Sequence, residues 1–185
     1  MTRLGPRWRA AGALTLLVTA TAGAAPLAQA QVPDPAAVEC SEGTFRAEYF
    51  DDVELTGRPF LVECHERIDF DWGRGRPHPR VPEDRFGVRW SADLTLGEGT
   101  YRFAASTDDG TRVYLDGERI IDVWYPRRVT ETAAYGYVPA GRHRLVVEYF
   151  ELTGHAVARV DWTRAATGWF QVEASRGAAA EPTSG

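Results

Sequence analysis

The sequence predicts an all-β protein, an antiparallel β-sandwich with no substantial helix. Three observations carry that prediction. Apolar and polar residues alternate in short runs, the period of a half-buried strand. Turn formers such as Gly, Pro and Asp separate the runs at regular spacing, as a sandwich requires. No stretch keeps the 3.6-residue period of an amphipathic helix.

Taken in order, Thr44 to Phe50 reads as the first strand, with Phe45, Ala47 and Tyr49 on one face. Leu55 to Pro59 is turn chemistry. Pro59 to Ile68 reads as a second extended region, and Asp69 to Phe86 as a Gly- and Pro-rich covering loop anchored by Trp72 and Phe86. Gly87 to Leu96 alternates without a break through Val88, Trp90, Ala92 and Leu94. Gly97 to Gly99 turns it into a strand over Thr100 to Ser106. Thr111 to Leu115 and Glu118 to Val123 flank Asp116-Gly117, the dipeptide of a type I′ hairpin. Trp124 to Arg128 is a loop. Val129 to Val138 is extended, and Pro139 to Gly141 turns the chain again. Arg142 to Phe150 is a strand with Leu145, Val147 and Tyr149 inward. Glu151 to Gly154 is a loop, and Ala156 to Trp162 closes the pattern.

The ends differ from this middle. Arg3, Arg7 and Arg9, an apolar run from Ala10 to Ala22, and Ala28-Gln-Ala30 make residues 1–30 a secretory signal. An uncleaved anchor is the alternative, although the apolar run is short for a membrane span. Residues 31–41 form a lead-in, 42–164 the sandwich domain, and 165–185 a terminal strand remnant and a tail of Ala, Gly, Ser and Pro. Losing the signal removes three arginines and no acid, so 18 basic residues face 26 acidic ones. That balance opposes a nucleic-acid partner, which needs a basic face. The chain contains no Lys and no Asn. In a secreted chain Cys40 and Cys64 are expected to form a disulfide, worth ~3–4 kcal/mol for a loop of that size. The implied localisation is secreted or periplasmic.

The chemistry concentrates at Asp108-Asp109-Gly110, which sits between two alternating runs. Adjacent carboxylates repel, and a hard cation such as calcium relieves both at once. A plain turn is the alternative, since Asp and Gly favour turns for backbone reasons alone.

The motifs that stand out, in order, are Phe45-Arg-Ala-Glu-Tyr-Phe50 with Leu55 and Gly57, Arg67-Ile-Asp-Phe-Asp-Trp72, Phe86-Gly-Val-Arg-Trp90, Tyr101-Arg-Phe103, Ser106-Thr-Asp-Asp-Gly110, Val113-Tyr-Leu-Asp-Gly117, Trp124, and Gly141 through Val147-Glu-Tyr-Phe-Glu151 to Val160-Asp-Trp162. In this order they resemble the PA14 domain family. The resemblance implies a β-sandwich found in glycosidases, toxins and adhesins. It also implies that Asp108 and Asp109, joined by a cis peptide, bind a calcium ion that meets glycan hydroxyls. In sugar-binding members a later loop adds an Asn ligand. The matching loop here, Phe150 to His155, has none, and Glu151 is the residue able to substitute.

The leading expectation is therefore a secreted, non-catalytic carbohydrate-binding module with calcium on Asp108, Asp109 and Glu151. Trp124 and Tyr125 would stack on the sugar and Arg127 would donate to its hydroxyls. A place in the core or rim is the alternative for Trp124. A metal-independent structural or protein-interaction domain of the cell envelope is the second reading, favoured by the missing Asn. Hydrolysis is the third and weakest. A glycosidase needs two carboxylates flanking the scissile bond, no Gly-x-Ser-x-Gly elbow or zinc-type His pair is present, and His65, His78, His143 and His155 read as scattered surface or loop residues.

Overall fold

A computed structural model describes residues 34–166. The expected signal segment and nearly all of the C-terminal tail lie outside the described residues. A single 3₁₀ turn, Pro35–Ala37, precedes ten strands. They are β1 (Phe45–Phe50), β2 (Leu61–His65), β3 (Ile68–Gly73), β4 (Phe86–Leu96), β5 (Gly99–Asp108), β6 (Gly110–Leu115), β7 (Glu118–Val123), β8 (Thr130–Val138), β9 (Gly141–Glu151) and β10 (Ala156–Arg164). A six-stranded sheet has the order β2-β1-β4-β9-β6-β7, and a four-stranded sheet the order β3-β10-β5-β8. Every pairing is antiparallel. The expected all-β sandwich is what forms.

Alternation decides which side chains meet between the sheets. Phe45, Ala47 and Tyr49 of β1, Val88, Trp90 and Ala92 of β4, and Leu145, Val147 and Tyr149 of β9 are all buried. Facing them are Ile68, Phe103, Ala105, Ala158 and Val160 of the smaller sheet. Aromatic rings fill much of the gap. Phe70 stacks between Trp72 and Trp90 at 5.0 and 5.9 Å, and Phe86 meets Tyr149 edge-on at 6.2 Å. Large rings bury much area per residue, which a small domain needs to offset chain entropy.

Several expectations change. The extended region at Pro59 to Ile68 holds β2 and ends at the first residue of β3, which lies in the other sheet. The stretch read as a covering loop begins inside β3, where Ile68, Phe70 and Trp72 alternate inward. Glu151 is the last residue of β9 rather than part of a loop. Two histidines are not surface groups. His143 is buried in β9. His65 accepts a 3.0 Å hydrogen bond at Nδ1 from the indole N–H of fully buried Trp90. In each case the cross-strand register, invisible in a local window, supplies the partner.

Cys40 and Cys64 form the expected disulfide, with Cα atoms 5.5 Å apart. It clips the lead-in to β2. Arg46 strengthens that attachment by donating to the backbone carbonyls of Val38 and Pro35. Asp116 and Gly117 both have positive φ, 51° and 85°, in the tight turn joining β6 and β7, as the type I′ reading requires.

Candidate metal and ligand corner

Asp108 ends β5 in the smaller sheet, and Gly110 begins β6 in the larger one. The acidic pair is thus a corner where the chain crosses between sheets, not the tip of a hairpin. The Asp108–Asp109 peptide bond is cis. Gly110 is needed for space and not for a left-handed backbone: a Cβ there would lie 2.3 Å from Phe150 Cε1.

The same corner receives the end of β9. Asp108, Asp109 and Glu151 each present an oxygen, and these atoms lie within 4.8 Å of one another. Glu151 is fully buried and Asp109 nearly so, while Asp108 is partly open to solvent. The backbone fastens the pair. Asp109 accepts from the Arg127 amide at 2.9 Å through Oδ1 and from the Leu152 amide at 2.8 Å through Oδ2. Asp108 Oδ2 accepts from the Val129 amide at 3.1 Å. The Tyr149 hydroxyl donates to the Asp108 carbonyl oxygen and lies 3.2 Å from Glu151 Oε2. Glu151 Oε1 is buried with no hydrogen-bond partner.

An unpartnered buried carboxylate oxygen is costly, and the electrostatics register it. Burial, then the neighbouring Asp109 charge, pushes the Glu151 carboxyl up to about 8. Burial and Asp109 likewise raise the Asp108 carboxyl, opposed by the Val129 amide. Three converging carboxylates with one unused oxygen could hold a metal ion. The donor set is all oxygen, which suits a hard cation.

The other expected contact residues occupy the adjoining loop. Trp124 is partly buried, with Phe150 edge-on at 4.8 Å and the Arg112 guanidinium 4.1 Å above its ring centre. Tyr125 is 55% exposed. Arg127 turns inward, donating to Thr132 Oγ1 at 3.1 Å, Thr107 Oγ1 at 3.4 Å and the Thr130 carbonyl. Tyr149 is the site residue that sequence reading passed over as core. The signal was present: Tyr149 lies two positions before Glu151 in one strand, hence on the same face.

Comparisons with known proteins bear on the family and the fold. The chain is 33% identical over 120 residues to the anti-sigma-I factor RsgI3 of Acetivibrio thermocellus, covering 64% of this chain and 18% of that protein. It therefore spans less than a fifth of that curated relative. Among solved structures, an anti-sigma factor domain-containing protein is 32% identical with a TM-score of 0.64, over 68% of this chain and 44% of the other. A PA14 sugar-binding domain from an RTX adhesin shares the fold at 14% identity and TM-score 0.53, over 67% of this chain and 91% of the other. The family model of the PA14 domain matches residues 41–174. The chain belongs to the PA14 domain family.

Proposed function

We propose that the protein is a non-catalytic glycan-binding domain of the cell exterior that holds calcium on Asp108, Asp109 and Glu151. The observation that carries this reading is the fully buried Glu151 carboxylate, whose Oε1 has no partner and which converges with both aspartates. Two ligand oxygens on one calcium, each ~2.3–2.6 Å from it, can be at most ~5.2 Å apart. The 4.8 Å spread of this cluster fits inside that limit. Glu151 takes the part that Asn plays in sugar-binding members, and brings a third negative charge. Bound there, calcium would supply open coordination positions for sugar hydroxyls on the side where Asp108 meets solvent.

The protein residues divide the remaining work. Tyr125 has a free ring for stacking on a sugar. Trp124, covered by Arg112 on one face, and Arg127, engaged with three threonines, shape the loop that carries it. Convergence of all three carboxylates on one point suits ion binding better than flanking a scissile bond. The disulfide fits an oxidising compartment outside the cytosol. Among the described residues no helix is long and apolar enough to cross a membrane.

A specific observation favours a second, metal-independent reading. Three backbone amides already satisfy Asp108 and Asp109, so the pair fastens the 127–129 and 152 loops without an ion. The corner would then serve an interaction domain of the cell envelope. Thermal melting in EDTA and in millimolar calcium separates the two. Calcium at a hundred times its dissociation constant adds about 2.7 kcal/mol, several degrees in Tm for a chain of this size. That rise, absent in Asp108→Ala/Asp109→Ala, followed by calcium-dependent glycan-array signals, is the expected result. Superimposable curves would leave the acidic pair as loop fasteners and favour the second reading.

A further inference from the structure

The described residues also carry an aromatic platform on the strand that leaves the acidic corner after Val129. Tyr135 and Tyr137 are 69% and 65% exposed, the highest values among the exposed large hydrophobic residues. Both lie on β8, the edge strand of the four-stranded sheet, two positions apart and therefore on one face. Their spacing along the strand is roughly 6.6–6.8 Å.

The Tyr137 ring is tethered. The Tyr137 hydroxyl donates to Glu98 Oε1 at 2.7 Å, in the turn entering β5. Tyr135 stands in register opposite Arg102 on β5. Fixing the Tyr137 ring in advance removes an entropic cost that a ligand would otherwise meet. The polar groups around the two tyrosines are balanced: Arg102 pairs with Glu131 and lies 3.9 Å from Asp161. A charged ligand finds no unpaired counter-charge at Arg102, whereas a neutral one finds hydroxyl, carboxylate and guanidinium groups beside two apolar faces. A cleft of about 450 Å³ opens at the same strand, between β8 and the β6–β7 hairpin, with Glu118, Arg119 and Ile120 on its far wall.

We propose that Tyr135 and Tyr137 form a metal-independent binding face for a neutral polysaccharide, whose sugar rings stack along β8. This site does not rest on calcium at the acidic corner, and the two can fail separately. The test is electrophoresis of the native protein through gels containing hydroxyethylcellulose, mixed-linkage β-glucan, xyloglucan or galactomannan. At least one of the four should retard the wild type, equally with EDTA and with calcium. Tyr135→Ala/Tyr137→Ala should weaken that retardation about tenfold or more. Both side chains are exposed, so the melting temperature should hold, and Tyr135→Trp/Tyr137→Trp should keep the retardation. Retardation by none of the four, retardation indifferent to the alanine pair, or retardation abolished by EDTA would each overturn the proposal. So would a dimer on size exclusion that the alanine pair converts to monomer with no change in the gels, since the β8 edge would then be the seat of a second copy.

Discussion

The chain contains two Asp-Gly steps that look alike in sequence and behave oppositely in the fold. Asp116-Gly117 turns a hairpin within one sheet. Both residues are left-handed there, Asp116 is half exposed, and a Cβ on Gly117 would meet nothing within 4 Å. Asp109-Gly110 crosses from one sheet to the other. Asp109 is buried on two backbone amides, and Gly110 is pressed against Phe150. In the first, glycine meets a conformational demand. In the second it meets a steric one, at the point where the chain crosses between the sheets beside buried Glu151.

Alanine substitution separates the two demands, and the corner should show the larger effect. Gly110→Ala puts a methyl group 2.3 Å from Phe150 Cε1 and 2.9 Å from Cζ, with Phe150 itself buried against Trp124. Overpacking of this kind costs about 3 kcal/mol. Because Phe150 precedes Glu151, the variant should also lose any calcium-dependent rise in Tm. Gly117→Ala needs only a positive φ, about 1 kcal/mol, and should leave the calcium response intact. Urea midpoints for the two variants check the order, and equal losses would erase the distinction.

The hairpin was legible in the sequence because its signal is local: one dipeptide between two alternating runs. Most strands were legible for the same reason, from Val88-x-Trp90-x-Ala92 in β4 to Leu145-x-Val147-x-Tyr149 in β9. Sheet membership was not. Nothing within Ser106-Thr-Asp-Asp-Gly110 says that β5 pairs with β8 and β10 while β6 pairs with β7 and β9. Strand β3 was hidden for another reason. Its Ile68-x-Phe70-x-Trp72 alternation runs directly into Gly73 and the Gly- and Pro-rich stretch beyond, and the composition of the longer window outweighed the period. The acidic pair was conspicuous, but the oxygen that makes it a candidate site belongs to Glu151, more than forty positions away. Its burial follows from the β4–β9 and β6–β9 registers. The outward faces of Tyr135 and Tyr137 are register effects of the same kind, whereas Arg127 turns inward from a loop, held by Thr107, Thr130 and Thr132.

Acid–base behaviour sharpens the comparison further. With calcium removed, the native state keeps a proton on Glu151 up to about pH 8, whereas an unfolded Glu releases it near 4.3. Between those values the folded state binds more protons than the unfolded one. Stability therefore falls as pH rises through the window, by up to about 5 kcal/mol. The raised Asp108 carboxyl adds in the same direction. Glu151→Gln, neutral at every pH, should flatten most of this fall in EDTA. Millimolar calcium should flatten it in the wild type, because the proposed ion would bind the ionised carboxylates. Guanidinium titrations at several pH values would read both effects, and a slope unaltered by the Gln variant would place the titrating group elsewhere.

The hairpin should retain a smaller pH dependence that calcium does not touch. His143 Nδ1 lies 2.6 Å from Asp116 Oδ2 and Nε2 lies 2.9 Å from the Pro139 carbonyl oxygen. Both partners are acceptors, so the ring makes both bonds only as the imidazolium. The bond to Asp116 accordingly raises the His143 pKa, against the effect of burial, and the bond to His143 lowers that of Asp116. A raised histidine contributes its full stability below the unfolded value of ~6.5 and loses it as pH rises through the folded value. A lowered carboxyl contributes above its unfolded value of ~3.9 and loses that as pH falls. The pair thus works best in the mildly acidic range between the two. With Asp116 half exposed, solvent screening holds the effect below about 1 kcal/mol. In saturating calcium, where the corner's contribution is flat, His143→Gln should remove the remaining decline in Tm above neutral pH. If the decline survives, some group other than the one linking the β6–β7 turn to the β8–β9 turn is releasing the proton.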